Sequence, residues 1–258
     1  MDQALIQEIK EFSQYIPNFM FILLRSSILI SLLPVIGGKQ MPKQFRLGLA
    51  VMISILLTPV VQFEIAEHSI PLLVMKEVLI GLALGLTVRF IFMAVNMAGQ
   101  FISYTMGMSM AQVFNPDMGQ STSIAEVYGI MAMLFFLILD AHHDLIYVFV
   151  KSFEMLPGGD VNVQALVPVV LSMMSGLFVL ALKICAPVTV GVLISHLMTG
   201  FLYKAAPQMN IFFVTMPLNI FLGFLLIILS IPVFEYLMGV KFSDMRSEMV
   251  KIVSLARG

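Results

Sequence analysis

The chain has 258 residues, of which 60% are hydrophobic and 11% are charged, and its mean hydropathy is +1.01. Soluble domains are usually only about 45–50% apolar, so this composition indicates an integral membrane protein. The formal net charge of -1 excludes the broad basic surface typical of nucleic-acid binding. The single cysteine, Cys185, excludes an intrachain disulfide and is most simply a small core residue.

The N-terminus lacks the basic region, short apolar region and small-residue cleavage site of a secretory signal peptide. Residues 2–13 instead place four apolar side chains on one helical face, namely Leu5, Ile6, Ile9 and Phe12. This spacing predicts a short amphipathic helix that lies on a membrane or a partner.

Six apolar segments follow, each long enough to cross a bilayer core as a helix, which takes about 20 residues. They comprise residues 17–36, 45–63, 70–98, 125–150, 163–196 and 209–240. The third and fifth are long enough to tilt, break or extend beyond the hydrocarbon. We therefore expect an all-α integral membrane protein with about six long apolar helical segments.

The charges of the first two loops and those of the C-terminal tail disagree on the orientation of the chain in the membrane. The first loop contains Lys39, Lys43 and Arg46 without an acid, and the second contains only the acids Glu64 and Glu67. This pattern predicts that the N-terminus faces away from the cytoplasm. Six crossings would return the C-terminal tail to the same side, although that tail carries Lys241, Arg246, Lys251 and Arg257. Either one segment does not cross, or partner subunits hold the tail.

Charges inside the apolar segments are few, and they include Arg25, Lys76, Glu77, Arg89, Asp140, Lys183 and Glu235. A charge at the centre of a membrane helix costs at least about 2.5–3.5 kcal/mol, so each should face protein or water. For Lys76, Glu77 and Glu235, near segment ends, an ion pair between helices is the favoured interpretation. For the arginines and Lys183, a polar pathway and a structural ion pair both stay open.

The segment from Asn96 to Glu126 connects two apolar segments but has only one charge, Asp117, before Glu126. It is rich in glycine and in methionine, at positions 97, 106, 108, 110 and 118. Non-helical backbone at membrane depth is tolerated only where protein covers it or where it lines a wet cavity. The segment is thus either a connector packed against neighbouring helices or a constriction in a pore.

Catalytic chemistry is not indicated by any motif. The cluster from Asp140 to Asp144 includes adjacent histidines, which point about 100° apart on a helix, whereas zinc-binding helices place histidines four residues apart. We interpret it as a polar loop boundary and expect no metal. His196 is a lone histidine on an apolar helix and is expected to make a satisfied polar contact. We expect no enzymatic activity and no cofactor.

A second informative loop follows Gly200. Pro207 disfavours helix at the preceding residue, and Gln208 and Asn210 can bond the freed backbone groups, so we expect the chain to reverse between two long helices. The predicted hairpin end comprises Lys204, Pro207, Gln208, Asn210 and Phe212.

Together these motifs resemble the FliR/SctT family of type III export-gate subunits over nearly the whole chain. In order they are Pro34–Gly37, Met41–Pro42, Arg46–Ala50, Leu57–Pro59, Glu77–Gly85, Ala98–Gln100, Met106–Ala111, Asn115–Pro116, Asp140 with His142, Ser152–Phe153, Leu156–Pro157, Lys183–Pro187 and Pro207–Phe212. Two positions depart from the family pattern, with Lys204 where arginine is frequent and Asn115 where aspartate is frequent. Lysine lacks the planar fork of arginine, which puts a bidentate contact at position 204 in doubt.

The resemblance implies one subunit that joins several FliP-like and FliQ-like subunits in a helical, closed cone of hairpins in the bacterial inner membrane. Residues 1–160 would correspond to a FliP-like part with a plug loop at 104–123, and residues 161–258 to a FliQ-like hairpin and tail. The implied plug comprises Met106, Gly107, Met108, Met110, Phe114, Asn115, Pro116 and Met118. Charges for subunit contacts would be Arg25, Glu77, Arg89 and Lys183.

The implied function is to form and seal the conduit for unfolded flagellar proteins at the basal body, with FlhB-like and FlhA-like components and membrane lipid as further partners and no nucleic acid. A virulence injectisome subunit of the same family is the nearest alternative. A small-solute transporter would need related halves and a midplane site, and no internal repeat is evident. A purely structural scaffold would assemble in the same way without gating.

Overall fold

The computed structural model describes residues 3–34, 41–61, 70–108, 122–156, 162–205, 208 and 211–257, and every regular element within them is an α-helix. This confirms the all-α membrane class. The helices are α1 Gln3–Leu32, α2 Lys43–Leu57, α3 Ile70–Thr105, α4 Ser123–Ile138, α5 Ala141–Met155, α6 Val163–Ala205 and α7 Ile211–Arg257.

Four of these helices, α1, α3, α6 and α7, are long and apolar enough to cross a membrane, and the bent pair α4 and α5 makes a fifth if it counts as one crossing. The predicted number of about six segments is therefore approximate. The difference arises at α2, which has 15 residues where a crossing takes about 20. Its length favours the alternative in which one apolar segment does not cross.

The predicted segment 125–150 is not one continuous helix. It is bent by 67° where α4 ends and α5 begins, and Asp140 between them has φ 54° and ψ 21°. This left-handed conformation cannot continue a right-handed helix, and aspartate is one of the few residues with a side chain that adopts it. Neither glycine nor proline marks the break, so the sequence pattern does not reveal it.

Both ends of the chain extend helices beyond their predicted limits. The expected short amphipathic helix is the first part of α1, which continues through Pro17 to Leu32. At the other end, α7 continues through the charged tail to Arg257. The tail buries residues spaced three, four or seven apart, namely Met245, Met249, Ile252, Val253 and Ala256. That spacing is typical of an amphipathic helix.

Spatial packing divides the chain into two compact units. Unit one comprises residues 1–90, 140–173 and 243–258, and unit two comprises residues 91–139 and 174–242. The sequence predicts that residues 1–160 resemble a FliP-like subunit and residues 161–258 a FliQ-like hairpin and tail. The two units are defined by contacts within this chain and do not test that resemblance, which stays a prediction.

Unit one is built around a buried ion pair between α1 and α3. The Arg25 side chain is 0% exposed, and its Nε and Nη2 donate hydrogen bonds of 2.6 and 2.7 Å to the two carboxylate oxygens of Glu77. Its Nη1 donates to Ser152 Oγ of α5 at 2.8 Å, and its guanidinium lies 4.0 Å from the ring centre of Phe153. The ion pair between helices that the sequence favoured for Glu77 is therefore present, and a role of Arg25 and Glu77 in subunit contacts stays a prediction.

Small residues allow α1 and α3 to approach closely beside this pair. Glu77, Gly81 and Gly85 are four residues apart and so lie on one face of α3. A Cβ added at Gly81 would lie 3.3 Å from the Arg25 carbonyl oxygen, and one added at Gly85 would lie 2.6 Å from Leu32 Cδ1. The glycines therefore permit the helix contact that buries the pair.

The charged C-terminal tail, residues 243–258, packs against other residues of unit one. Arg246 Nη1 donates to Asp144 Oδ1 at 3.3 Å and its guanidinium lies 4.2 Å from the Tyr147 ring centre. The Asn162 backbone N–H donates to the Ala256 carbonyl at 2.8 Å. The chain itself thus provides contacts that hold the basic tail.

Unit two packs α3 and α4 in opposite directions. The Phe92 and Phe136 rings are 5.8 Å apart at one level, and Gly99 lies against Ala125 at another. A Cβ at Gly99 would clash with the Ala125 backbone, so the two helices are in direct backbone contact there. Phe242 of α7 joins the aromatic core, 5.5 Å from the Phe136 ring centre.

We expect that Glu77→Leu destabilises the chain strongly, because it leaves the Arg25 charge buried without its carboxylate, a loss of about 3–5 kcal/mol. The double variant Arg25→Met with Glu77→Leu should lose less, because neither charge is then buried alone. Thermal unfolding in detergent, followed by far-ultraviolet circular dichroism, measures both. A double variant at least as unstable as the single one would contradict this account of the pair.

Candidate functional site

The methionine-rich segment begins at the C-terminal end of α3, where a glycine closes the helix. Gly107 has φ +81°, and its N–H donates to the Tyr104 carbonyl at 3.1 Å. The next N–H, of Met108, donates to the Ser103 carbonyl at 3.1 Å. These two hydrogen bonds define a Schellman motif, in which a left-handed glycine satisfies the last carbonyls of a helix. The direction in which the segment leaves α3 is thereby fixed.

Met106, the last residue before this glycine, is held against α7. Its side chain is 0% exposed. A Cβ added at Gly223 would lie 2.6 Å from Met106 Sδ, so the methionine occupies the space that any larger residue at position 223 would need. The Met106 side chain thus packs directly against Gly223.

A polar network from α6 and α7 binds the same end of α3. His196 Nε2 lies 3.2 Å from the Thr105 carbonyl oxygen, and Asn219 Nδ2 lies 3.3 Å from His196 Nδ1. Ser195 Oγ donates to Asn219 Oδ1 at 2.9 Å. Because the Asn219 oxygen accepts from serine, its amide N–H₂ donates to His196 Nδ1, and Nε2–H of a neutral imidazole then donates to Thr105. His196 therefore makes the satisfied polar contact that the sequence predicted.

We call Thr105, Met106, His196, Asn219 and Gly223 the α3 anchor. The Thr105 carbonyl is among the last four of its helix, which have no partner within an α-helix. His196 supplies a partner from another helix, while Gly223 receives the neighbouring side chain. The α3 anchor therefore joins the start of the methionine-rich segment to the α6 and α7 hairpin by one polar and one apolar contact.

The chain returns from this segment at Thr122, the N-cap of α4. The Thr122 side-chain oxygen accepts a hydrogen bond from the Ala125 N–H at 3.2 Å, which satisfies one of the free donors at the helix start. Because α3 and α4 are antiparallel and touch at Gly99, Met108 and Thr122 lie at the same end of this helix pair. The segment is a connection between two fixed helix ends.

The structure describes only part of the predicted plug and hairpin end. Met106 is buried, and Gly107 and Met108 form the turn. Five predicted plug residues lie outside the described residues: Met110, Phe114, Asn115, Pro116 and Met118. At the hairpin end, Lys204 and Gln208 are exposed and Phe212 lies in the first turn of α7, whereas Pro207 and Asn210 are outside the described residues.

The four predicted contact charges separate into two kinds. Arg25 and Glu77 are buried and pair with each other inside unit one. Arg89 and Lys183 are exposed on the single chain, and neither forms an ion pair with a described residue. Burial against another subunit stays a prediction.

Asp140, His142 and His143 place one possible ligand atom each within 4.8 Å of one another. The sequence argument concerned only the two histidines, which both lie in the regular helix α5, and it did not consider Asp140, which precedes that helix in a left-handed conformation. Asp140 Oδ1 lies 3.3 Å from His143 Nδ1, and both side chains are about 70% exposed. Exposed acids and histidines are often this close without a metal, so the expected absence of a metal site stays a prediction.

Sequence reasoning missed the residues of α7 that complete the α3 anchor. Asn219 is a buried polar residue in an apolar helix, which by itself signals a required hydrogen-bond partner. Gly223 follows it by four residues and so lies on the same helix face. The four-residue spacing of Asn219 and Gly223 can be read from the sequence, but it does not show that both residues contact the C-terminal end of α3.

The described part of the chain thus has four long apolar helices, and the connection between α3 and α4 contains a single charge, Asp117. The family model described as "Bacterial export proteins, family 1" matches residues 16–245. The chain therefore belongs to this family, which confirms the resemblance to FliR-type export proteins.

Individual relatives agree with the family. The chain is similar to the flagellar biosynthetic protein FliR of Bacillus subtilis, with 31% identity over 231 residues that cover 84% of this chain and 87% of the relative. It is 30% identical over 241 residues to FliR of Escherichia coli, covering 90% and 91%. For FliR of Caulobacter vibrioides the identity is 31% over 227 residues, covering 85% and 90%. The chain is a multi-pass inner-membrane component of flagellar protein export.

We expect Gly107→Val to destabilise the chain by about 1–2 kcal/mol, because a side chain strains the left-handed backbone that ends α3. Gly107→Asn should cost less, since asparagine adopts this conformation more readily. Gly176→Val is the matched control, because Gly176 has no neighbour within 4 Å and no positive φ. Thermal unfolding in detergent ranks the variants. Equal effects at positions 107 and 176 would show that backbone strain does not decide the result.

We also expect His196→Ala and Asn219→Leu to be coupled, because each side chain satisfies the other. A double-mutant cycle on the free energy of unfolding should give an interaction of about 0.5–3 kcal/mol. Thr199→Val serves as the control, because within the described residues the Thr199 hydroxyl donates to backbone carbonyls of its own helix. Its effect should add to that of Asn219→Leu. Additivity between His196→Ala and Asn219→Leu would remove the network from the site.

Proposed function

We propose that this chain forms part of a conduit through which unfolded flagellar proteins cross the inner membrane, and that residues 109–121 seal it. The observation that carries the proposal is the α3 anchor. A seal has to be fixed at its base while its middle stays adaptable, and the α3 anchor fixes the base by Met106 on Gly223 and by Thr105 on His196.

The composition of the segment suits the second requirement. A conduit for a polypeptide has to close against ions and then admit cargo of changing shape. Methionine side chains are unbranched and can re-pack around irregular surfaces, and apolar constrictions exclude water and ions by dewetting. Residues 106–121 contain Met106, Met108, Met110 and Met118 and a single charge, Asp117. The segment is therefore suited to act as a deformable seal.

The length of the hairpin that holds the seal supports a role beyond a simple bilayer crossing. The helices α6 and α7 have 43 and 47 residues, which at 1.5 Å per residue is about 65 and 70 Å. A hydrocarbon core is about 30 Å thick, so more than half of each helix needs another environment. FliP-like and FliQ-like subunits are the partners proposed to provide it, with FlhB-like and FlhA-like components and the cargo as further partners.

Flagellar proteins are the proposed cargo, because the relatives described above are named as flagellar biosynthetic proteins. The relatives are named for biosynthesis and export rather than for a reaction, so we propose transport without catalysis in this chain. The energy for movement would then come from other components of the apparatus.

We expect deletion of residues 109–121 to raise the ion conductance of the assembled complex, because the seal is lost while both helix ends keep their anchors. Replacing Met108, Met110 and Met118 together by serine should also raise it, whereas replacing them by leucine, which conserves apolar volume, should not. Single-channel recording of the purified complex in a planar bilayer measures the change. An intact complex with unchanged conductance in the deletion and serine variants would refute the seal.

A further inference from the structure

Helix α5 carries a row of polar side chains on its outer face. His143, Asp144, Tyr147 and Lys151 lie on one side of the helix, because residues three or four apart share a face. None of these four side chains is buried, whereas the other side of α5 is buried. A face with three ionisable groups does not suit the hydrocarbon, so it should meet water or lipid headgroups.

Arg246 of the C-terminal tail joins this row at Tyr147. Its guanidinium carbon lies 4.2 Å from the Tyr147 ring centre. Lys151 Nζ donates a hydrogen bond of 3.3 Å to the hydroxyl of the same tyrosine. All three residues belong to unit one. We call Tyr147, Lys151 and Arg246 the tyrosine cluster, in which two cations contact one aromatic side chain.

The tyrosine cluster has unused hydrogen-bond donors. Within the described residues, Lys151 forms no ion pair, and its amino group, which has three donors, bonds only the Tyr147 hydroxyl. In the same part of the chain, Arg246 uses one of its five donors on Asp144, with Nη1 3.3 Å from Oδ1. The Tyr147 hydroxyl accepts from Lys151 and keeps its own proton for donation. All three side chains can thus donate to a further acceptor.

The tyrosine cluster and its neighbouring acid have one positive charge in excess. Lys151 and Arg246 contribute two positive charges, and Asp144 beside Arg246 offsets one. Asp144 precedes Tyr147 by three residues and Lys151 follows it by four, so the acid and the amine are about 10 Å apart along α5. Glu154, one turn beyond Lys151, forms no ion pair with any described residue. An anion therefore fits on the Lys151 side of the tyrosine cluster.

A phosphate group with one negative charge matches these features. The planar guanidinium of arginine and the ammonium of lysine are both common phosphate-binding groups. A phosphodiester carries the single negative charge that balances the excess of the tyrosine cluster. Its free oxygens can accept from Lys151 and Arg246, and the Tyr147 hydroxyl can donate a further hydrogen bond.

Apolar side chains beside the tyrosine cluster indicate that this phosphate belongs to a lipid. Ile146, next to Tyr147, is 53% exposed, and Val150 is half-buried four residues further along the same face. Tyrosine and basic side chains beside apolar surface are typical of the level at which lipid headgroups meet acyl chains. A phospholipid can contact the tyrosine cluster with its phosphate and the two apolar side chains with its acyl chains. A free phosphate ion makes only the first contact.

We propose that the tyrosine cluster is a binding site for the phosphate of an anionic phospholipid, such as phosphatidylglycerol. Any membrane-spanning chain contacts lipid through its apolar surface, but this site selects the headgroup. The ammonium group of phosphatidylethanolamine is repelled by Lys151 and Arg246, so the anionic lipid is favoured. The site lies in unit one and does not depend on the seal proposed for residues 109–121.

The bound phosphate also links two helices, because Lys151 belongs to α5 and Arg246 to α7. A ligand that binds the folded chain and not the unfolded chain raises its stability. Phosphatidylglycerol should therefore raise the temperature at which the chain unfolds more than phosphatidylethanolamine does.

The test uses the full chain purified in a nonionic detergent, to which either lipid is added with the same acyl chains. Native mass spectrometry measures the fraction of the chain that binds one lipid, and the unchanged chain should prefer phosphatidylglycerol. Lys151→Gln should lower the affinity for phosphatidylglycerol by about fivefold, because one of the two cations is lost. Lys151→Arg should bind as the unchanged chain does. Lys251→Gln is the matched control, because it removes the same charge from another exposed lysine of unit one.

Tyr147→Phe provides a second variant that changes no charge. It keeps the ring beside Arg246 but removes the hydroxyl, and it should lower the affinity for phosphatidylglycerol by about threefold. Equal losses in Lys151→Gln and Lys251→Gln would show that net charge alone attracts the lipid, and this result overturns the site. Equal binding of the two lipids by the unchanged chain overturns it as well. Displacement of phosphatidylglycerol by an excess of inorganic phosphate would overturn the assignment to lipid in favour of a soluble anion.

Discussion

The strongest constraint on this structure is that every polar group withdrawn from water needs a partner, and in so apolar a chain the partners come from distant parts of the sequence. Arg25 receives its carboxylate from Glu77 and a hydroxyl from Ser152, 52 and 127 residues away. The Thr105 carbonyl is met by His196, 91 residues further on. Apolar side chains make up most of the contacts between these helices, but the polar pairs determine which helix faces pack against each other.

The same constraint explains where the chain departs from regular helix. Gly107 ends α3 in a conformation that satisfies two of its carbonyls, and Asn162 accepts from the Ala165 N–H at the start of α6. Asp140 turns the chain between α4 and α5. Each irregular point thus coincides with a residue whose side chain or backbone freedom satisfies the exposed helix end. The seal proposed for residues 109–121 begins and ends at two such points, Gly107 and Thr122.

The sequence predicts the helical class well because long apolar runs have few alternatives in a membrane. It also predicts that Glu77 needs a partner, since an acid in such a run is costly. It does not predict that the partner is Arg25 rather than Lys76, because spacing along one helix says nothing about the neighbouring helix. The break at Asp140 and the continuation of α7 to Arg257 were missed for a similar reason. No glycine or proline marks the break at Asp140. The charges of the C-terminal tail do not indicate a packed helix, whereas the structure buries its Met245 and Met249 side chains.

The placement of the last helical turns also bears on how the protein is made. Unit one is assembled from residues 1–90, 140–173 and 243–258, so its third piece leaves the ribosome only after both pieces of unit two, residues 91–139 and 174–242. Until then, the surface of unit one that receives Met249 and Ala256 is uncovered. Contacts between residues this far apart in the sequence form slowly. The apolar surface that they will cover stays exposed until then and is prone to aggregation. Unit one can therefore close only after the ribosome has made the whole of unit two.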